Sequence, residues 1–167
     1  MTHLLSAINQ MDESTFVALL GPVFEATPEI ARAVWPQRPF QTRAELQAAM
    51  LRQMRSLPAS EQLALIRAHP DLGTKAKMAE ASVAEQSSAG LDQLSEAEFL
   101  SFQQLNQSYR EKFEFPFIIA VRDHTKASIL AAFQQRLQNS QAVEQAAALE
   151  QIGEIARLRL EAWVSDD

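Results

Sequence analysis

An arginine on the apolar stripe of a helix is the first residue in this sequence that demands chemistry. Leu149, Ile152, Ile155, Ala156 and Trp163 recur on one helical face, and Arg159 falls on that same face. Arg157 lies about 200° round the helix, with Glu150, Glu154 and Glu161, and reads as part of a solvated charge ladder. A guanidinium does not shed its charge, and burying it alone costs on the order of several kcal/mol. Arg159 therefore requires an anion, either a carboxylate of the protein or a carboxylate substrate held bidentately.

Three further places carry groups suited to catalysis or binding. In Ala68-His69-Pro70-Asp71-Leu72-Gly73, a helix end, a Pro and a Gly form a rigid turn that aims an imidazole. Histidine titrates near neutrality, as an acid–base group should, and a helix C-terminus favours its protonated form. Ser82, Glu85 and Gln86 stand at i, i+3 and i+4 and line one helical face, while Ala81, Ala84 and Ser88 share another and are small enough to pack. The third place is the run Phe117-Ile118-Ile119-Ala120-Val121, whose backbone needs partners if it is not helical. Neighbouring protein or an amide-rich ligand would serve equally. The remaining histidines, His3 and His124, have no comparable setting, and the three show no metal-ligand spacing, so no metal site is expected.

The elements that hold these groups are written mainly in helix caps. Thr27-Pro28-Glu29 opens a helix that stops near Pro36, and Thr42-Arg43-Ala44-Glu45 is a capping box for one ending near Ser56, with Leu46, Ala49, Met50 and Met54 inward. A helix from about Ser60 to Ala68 must break at His69-Pro70, and Glu80 to Ala89 is a short helix closed by Gly90. Ser95-Glu96-Ala97-Glu98 is a second capping box, before Phe99, Phe102, Leu105, Asn106 and Tyr109 at helical spacing. Thr125 to about Gln138 and a last helix capped by Ser140 complete the set. Residues 113–121 are expected to be one strand or a buried extended segment. One strand cannot build a sheet, so the expected fold is all-α, a single domain over residues 1–167.

Composition narrows the function. The chain has 167 residues, 47% of them hydrophobic, which suffices for one domain with a full core. Its net charge of −6 argues against a nucleic-acid partner. With no Cys, there are no disulfides, thiol nucleophiles or Cys-bound zinc. No apolar run approaches a membrane span, the N-terminus lacks a basic signal region, and the C-terminus is not a Ser-Lys-Leu address, so the expected location is the cytoplasm.

Six ordered pieces then converge. They are Arg38-Pro39-Phe40, the Ala68–Gly73 turn, Glu85-Gln86 with Ala89-Gly90-Leu91, Leu105-Asn106 with Tyr109, Lys112-Phe113 with Phe115 to Arg122, and Ile155-Ala156-x-x-Arg159-Leu160. Together they resemble the family of 2-oxo-4-hydroxy-4-carboxy-5-ureidoimidazoline (OHCU) decarboxylases, from about Phe16 to Leu160. The resemblance implies an all-α homodimer without a cofactor, acting on a ureidoimidazoline to release (S)-allantoin in urate breakdown. It also implies that His69 is the catalytic histidine and Glu85 the acid of a motif, acting in catalysis and in substrate contact. Pro70, Ser82, Gln86, Arg159 and the backbone of Phe117, Ile118, Ile119, Ala120 and Val121 match substrate-contacting positions. Two departures stand out: the chain is shorter than many relatives between His69 and Glu85, and Gly73 replaces an Ala. A shortened 73–80 loop is the consequence. Two other readings remain at this point, a ureide-binding module without turnover and a dimerisation protein in which Arg159 pairs with Glu85.

Overall fold

The caps and periodicities seen in the sequence are realised as helices in a computed structural model, which describes residues 2–73 and 80–167. The shortened loop therefore lies mostly outside the described residues. Among those described, nine α-helices account for the regular structure apart from three short 3-10 turns and one two-stranded pair. The all-α expectation holds. The chain groups into two compact units, one of Met1–Leu65 with Gly153–Asp167, the other of Ile66–Ile152.

The first unit contains α1 (Leu5–Asn9), α2 (Glu13–Leu20), α3 (Glu29–Val34), α4 (Arg43–Ser56) and most of α5 (Ala59–Ala68). It also takes the C-terminal half of α9 (Gln141–Trp163). Ile8, Phe16, Leu20, Ile30, Leu46 and Met50 are fully buried in its core. Helices α1 and α2 add to the sequence expectation, as does the pairing of β1 (His3–Leu4) parallel to β2 (Val164–Ser165). Asp12 caps α2 by accepting from the Thr15 N–H at 2.7 Å.

Two expected caps differ in detail. Thr27 does not cap α3; Pro28 occupies that position, and the Thr27 hydroxyl donates instead to the Glu25 carbonyl at 2.9 Å. The cause is the tight turn at Ala26, whose φ of 47° turns the Thr27 side chain back along the chain. At α4, Thr42 accepts from the Glu45 N–H as expected, but the Glu45 carboxylate reaches the N–H of Gln41 at 2.7 Å rather than that of Thr42. The box is one residue wider than the motif.

The second unit contains α6 (Glu80–Ser88), α7 (Glu96–Phe113), α8 (Lys126–Arg136) and the N-terminal half of α9. Ser95 and Glu98 form both halves of the capping box at the start of α7. Helix α7 ends at Phe113 because Glu114 turns left-handed, with φ 61°. From there to Ala120 the chain forms neither helix nor strand, and a 3-10 turn at Val121–Asp123 follows. Of the two expectations for 113–121, no strand forms; a buried non-helical segment does, but only over 115–120, since Phe113 still belongs to α7, Glu114 is exposed and Val121 opens the 3-10 turn.

The core of this unit is aromatic. Phe117 stacks on Phe133 with centroids 3.7 Å apart, and Tyr109 meets the Phe117 ring edge-on at 5.3 Å. Beneath the rings lies Glu144, 0% exposed. It accepts from the Tyr109 hydroxyl at 2.7 Å, from Arg136 Nε at 2.6 Å and from Asn139 Nδ2 at 2.9 Å. Arg136 closes the last turn of α8 and Glu144 lies in the first turn of α9. The two helix dipoles thus favour the charge at each end.

Burial, and then the adjacent Glu144 carboxylate, push the Tyr109 phenol well above its ordinary value of 10.0. A raised folded value means that the unfolded chain loses its proton first as pH rises. This contribution to stability is intact below about pH 10 and declines above it. Tyr109 is the only tyrosine, so phenolate absorbance reports it alone. That absorbance is expected to appear together with loss of the helical circular dichroism signal. Phenolate forming near pH 10 in a fully helical protein would contradict the buried hydrogen bond.

Candidate functional site

His69 follows the last turn of α5, and its N–H donates to the Ile66 carbonyl at 3.3 Å. Pro70 prevents the helix from continuing. The imidazole is buried, and Pro70 is half-buried. The turn that follows is pinned from three sides. Gln86 Oε1 accepts from the Gly73 N–H at 3.0 Å, and Asn106 Nδ2 donates to the Leu72 carbonyl at 2.9 Å. Arg110 Nε lies 2.8 and 3.0 Å from the two Asp71 carboxylate oxygens. Gly73 adopts φ +69°, which explains a glycine here: a Cβ would also approach Leu94 Cδ1 to 2.9 Å.

Helix α6 is inside out relative to an ordinary amphipathic helix. Ser82 and Gln86 are buried and Glu85 is half-buried, whereas Ala84 and Ser88 are exposed. Of the small residues expected to be able to pack, Ala81 is half-buried while Ala84 and Ser88 are exposed. The polar face points inward because it serves the turn and the segment beside it: α6 packs against Val121–Asp123 and supplies the amide that holds Gly73. That contact also fixes the polarity of Gln86. Its oxygen is turned toward an N–H, which places the amide nitrogen on the other side.

The segment Phe117, Ile118, Ile119, Ala120 and Val121 is buried throughout. Side chains rather than a neighbouring strand hold its backbone. Arg136 Nη1 donates to the Ile118 carbonyl at 2.6 Å, and the Ala120 N–H donates to Gln151 Oε1 at 3.0 Å. The Arg136 guanidinium also lies 4.4 Å from the Phe117 ring centroid. Among the described residues, the backbone N–H and C=O of Ile119 have no hydrogen-bond partner.

Arg159 is turned inward as expected, 2% exposed. Its Nη1 donates to the Pro22 carbonyl at 3.0 Å and the Val23 carbonyl at 3.3 Å, and lies 3.5 Å from Glu25 Oε2. A protein carboxylate thus meets the need for an anion. Arg157 pairs with Glu154 and Glu161 on the outer face, as its position on the helical wheel predicts.

The second unit therefore brings together His69, Pro70, Ser82, Glu85, Gln86 and the 117–121 backbone, while Arg159 belongs to the first. Four residues were missed in the sequence: Arg136, Glu144, Gln151 and Glu25. The first three had a signal. Arg136 continues the Ile129–Phe133 stripe, and Glu144 and Gln151 flank Ala148 and Ile152, the same pattern of a polar group on an apolar face that exposed Arg159. Glu25 lies between helices and had none. Among the described residues no group of three or more His, Asp or Glu is disposed to hold a metal ion, and no helix is long and apolar enough to cross a membrane.

Comparison with known proteins is consistent over nearly the whole chain. The family model for OHCU decarboxylase matches residues 9–161. A 2-oxo-4-hydroxy-4-carboxy-5-ureidoimidazoline decarboxylase of Haloferax volcanii is 42% identical over 156 residues, covering 93% of each chain. A uric acid degradation bifunctional protein of a Bacillus species is 40% identical over 94% of this chain and 31% of its own length. Among solved structures, an (S)-allantoin synthase superposes with a TM-score of 0.79 at 29% identity, over 96% of this chain and 54% of that one.

Because Arg159 is buried, removing its carboxylate partner strands a charge. Glu25→Leu is expected to lower unfolding free energy by about 3 kcal/mol, read from urea denaturation. A loss under about 0.5 kcal/mol, the size of an ordinary surface change, would show that Arg159 is satisfied without Glu25.

Proposed function

The chain belongs to the OHCU decarboxylase family, and from that membership we propose how its residues divide the work of the reaction. It is a carboxy-lyase of urate degradation that converts 2-oxo-4-hydroxy-4-carboxy-5-ureidoimidazoline to (S)-allantoin. The substrate carries a carboxylate and a hydroxyl on one ring carbon, beside a C=N bond bearing the ureido group. As the bond to the carboxylate breaks, its electron pair moves between the two ring carbons and the C=N electrons shift to nitrogen. CO₂ leaves, the ring nitrogen that received the electrons takes up a proton from water, and a neutral enol remains. The hydroxyl then gives up a proton while the adjacent carbon gains one and becomes the stereocentre. The substrate's own C=N accepts the electrons, so the reaction calls for no organic electron sink, and no cofactor or metal enters the proposal.

The protein's tasks are grip, orientation and proton transfer. Arg159 holds the anionic face of the substrate, its planar fork matched to a carboxylate. Gln86 contacts the ureido or ring amide groups of the substrate through its side-chain amide. Ser82, Pro70 and the 117–121 backbone fix the ring and ureido groups in one orientation. His69 exchanges a proton with the hydroxyl or with the carbon that becomes the stereocentre, and Glu85 holds His69 or a substrate N–H in the state this needs. Proton delivery to one face yields a single enantiomer. The observation that supports these assignments is the burial of three polar side chains, His69, Ser82 and Gln86, with α6 packed against the 3-10 turn that ends the 117–121 segment. In the same proposal the protein is a cytoplasmic homodimer organised as one functional domain.

The test generates substrate from urate with urate oxidase and hydroxyisourate hydrolase and follows circular dichroism at the allantoin band. Rapid growth of a one-handed signal that depends on this protein is expected; a trace matching the unassisted control would reject turnover and favour a ureide-binding module. In the same assay His69→Asn is expected to lose at least about a hundredfold in kcat/KM with unchanged melting. Near-normal turnover in that variant would remove His69 from catalysis. Arg159→Lys keeps the charge but not the fork, and is expected to raise KM about tenfold. Unchanged kcat and KM would confine Arg159 to its pair with Glu25.

A further inference from the structure

We propose that Arg136 and Gln151 form a clamp on the 117–121 backbone that presets Ile119 for the substrate, with Glu144 locking the clamp from beneath. The proposal rests on the assignment above that this backbone grips the ligand.

In an extended chain, alternate residues turn their N–H and C=O groups to opposite edges. Ala120 has extended backbone, with φ −73° and ψ 97°, and on this alternation Ile118 and Ala120 share one edge and Ile119 faces the other. Side chains engage the two residues that flank Ile119: Arg136 takes the Ile118 carbonyl and Gln151 takes the Ala120 N–H. Two side chains stand in for a neighbouring strand. Ile119 between them keeps one donor and one acceptor without a partner among the described residues, its N–H and C=O, which match the C=O and N–H of a ureide or cyclic amide. Buried backbone groups require such partners.

The construction favours position over stability. A buried ion pair is seldom worth more to stability than an apolar replacement, and Arg136 Nη2 is buried without a hydrogen-bond partner among the described residues. What the guanidinium achieves is geometric. Its one rigid plane meets three things: the Glu144 carboxylate through Nε, the Ile118 carbonyl through Nη1, and the face of the Phe117 ring. An ammonium has no plane and cannot meet all three. Glu144 in turn is held by Tyr109 and Asn139 as well as Arg136, so the guanidinium cannot swing. Arg136 and Gln151 are thus positioning residues, acting on substrate only through the backbone they hold.

The experiment compares wild type, Arg136→Lys and Gln151→Leu by steady-state kinetics, by calorimetric binding of (S)-allantoin, and by backbone amide NMR shifts at 117–121 on adding (S)-allantoin. In wild type the Ile119 amide is expected to shift on saturation. In both variants KM and the allantoin Kd are expected to rise about tenfold while kcat changes by less than about threefold, with melting near that of wild type. A role confined to stability would lower melting and leave KM and Kd alone. Gln151 is only half-buried, so Gln151→Leu decides the matter if Arg136→Lys does not fold. KM and Kd within about twofold of wild type in the folded variants, with the Ile119 shift retained, would overturn the clamp and leave the decarboxylase assignment intact. A wild-type enzyme that turns over but shows no shift at 117–121 would instead overturn the gripping role of the backbone, and the clamp with it.

Discussion

An extended chain buried without a neighbouring strand cannot satisfy its own backbone, and the second unit of this protein is arranged around that constraint. Each unpaired amide in an apolar interior costs on the order of 1–3 kcal/mol. The segment after α7 nevertheless runs buried from Phe115 to Val121. It persists because side chains from α8 and α9 take its polar groups, and because the rings of Phe117, Phe133 and Tyr109 pack against one another. The Arg136–Glu144 pair is the keystone, since it joins the end of one helix, the start of the next and the segment in one network.

The same logic explains why α6 turns its polar face inward. A helix rich in Ser, Glu and Gln gains little by burying that face against an apolar core. It gains more against a turn whose own amides need partners. Gln86 supplies the acceptor for Gly73, and Asn106 supplies the donor for Leu72. The turn bearing His69 is thus held by hydrogen bonds from two helices. A held imidazole is what proton transfer to one face of a small ring requires, because orientation sets both rate and handedness.

Arg159 is a buried charge whose partners come from the protein itself. Glu25 and two main-chain carbonyls surround its guanidinium. A group held this way has little freedom left to lose when it meets a ligand, which is how preorganisation favours binding.

Much of this was legible in the sequence. Helix caps and spacings of three and four fixed most of the helices, because capping and amphipathicity are local properties of the chain. The burial of Arg159, the exposure of Arg157 and the helix-end position of His69 followed from helical phase and from Pro70. Family motifs identified the reaction, because the residues that bear the chemistry lie in short ordered runs. Only the tertiary structure decided which face of α6 is inside, that Glu25 meets Arg159, and that Arg136 and Gln151 hold the 117–121 backbone. Those outcomes depend on which distant groups are brought together, and a residue's own neighbours in the chain do not encode where its unmet hydrogen bonds will be satisfied.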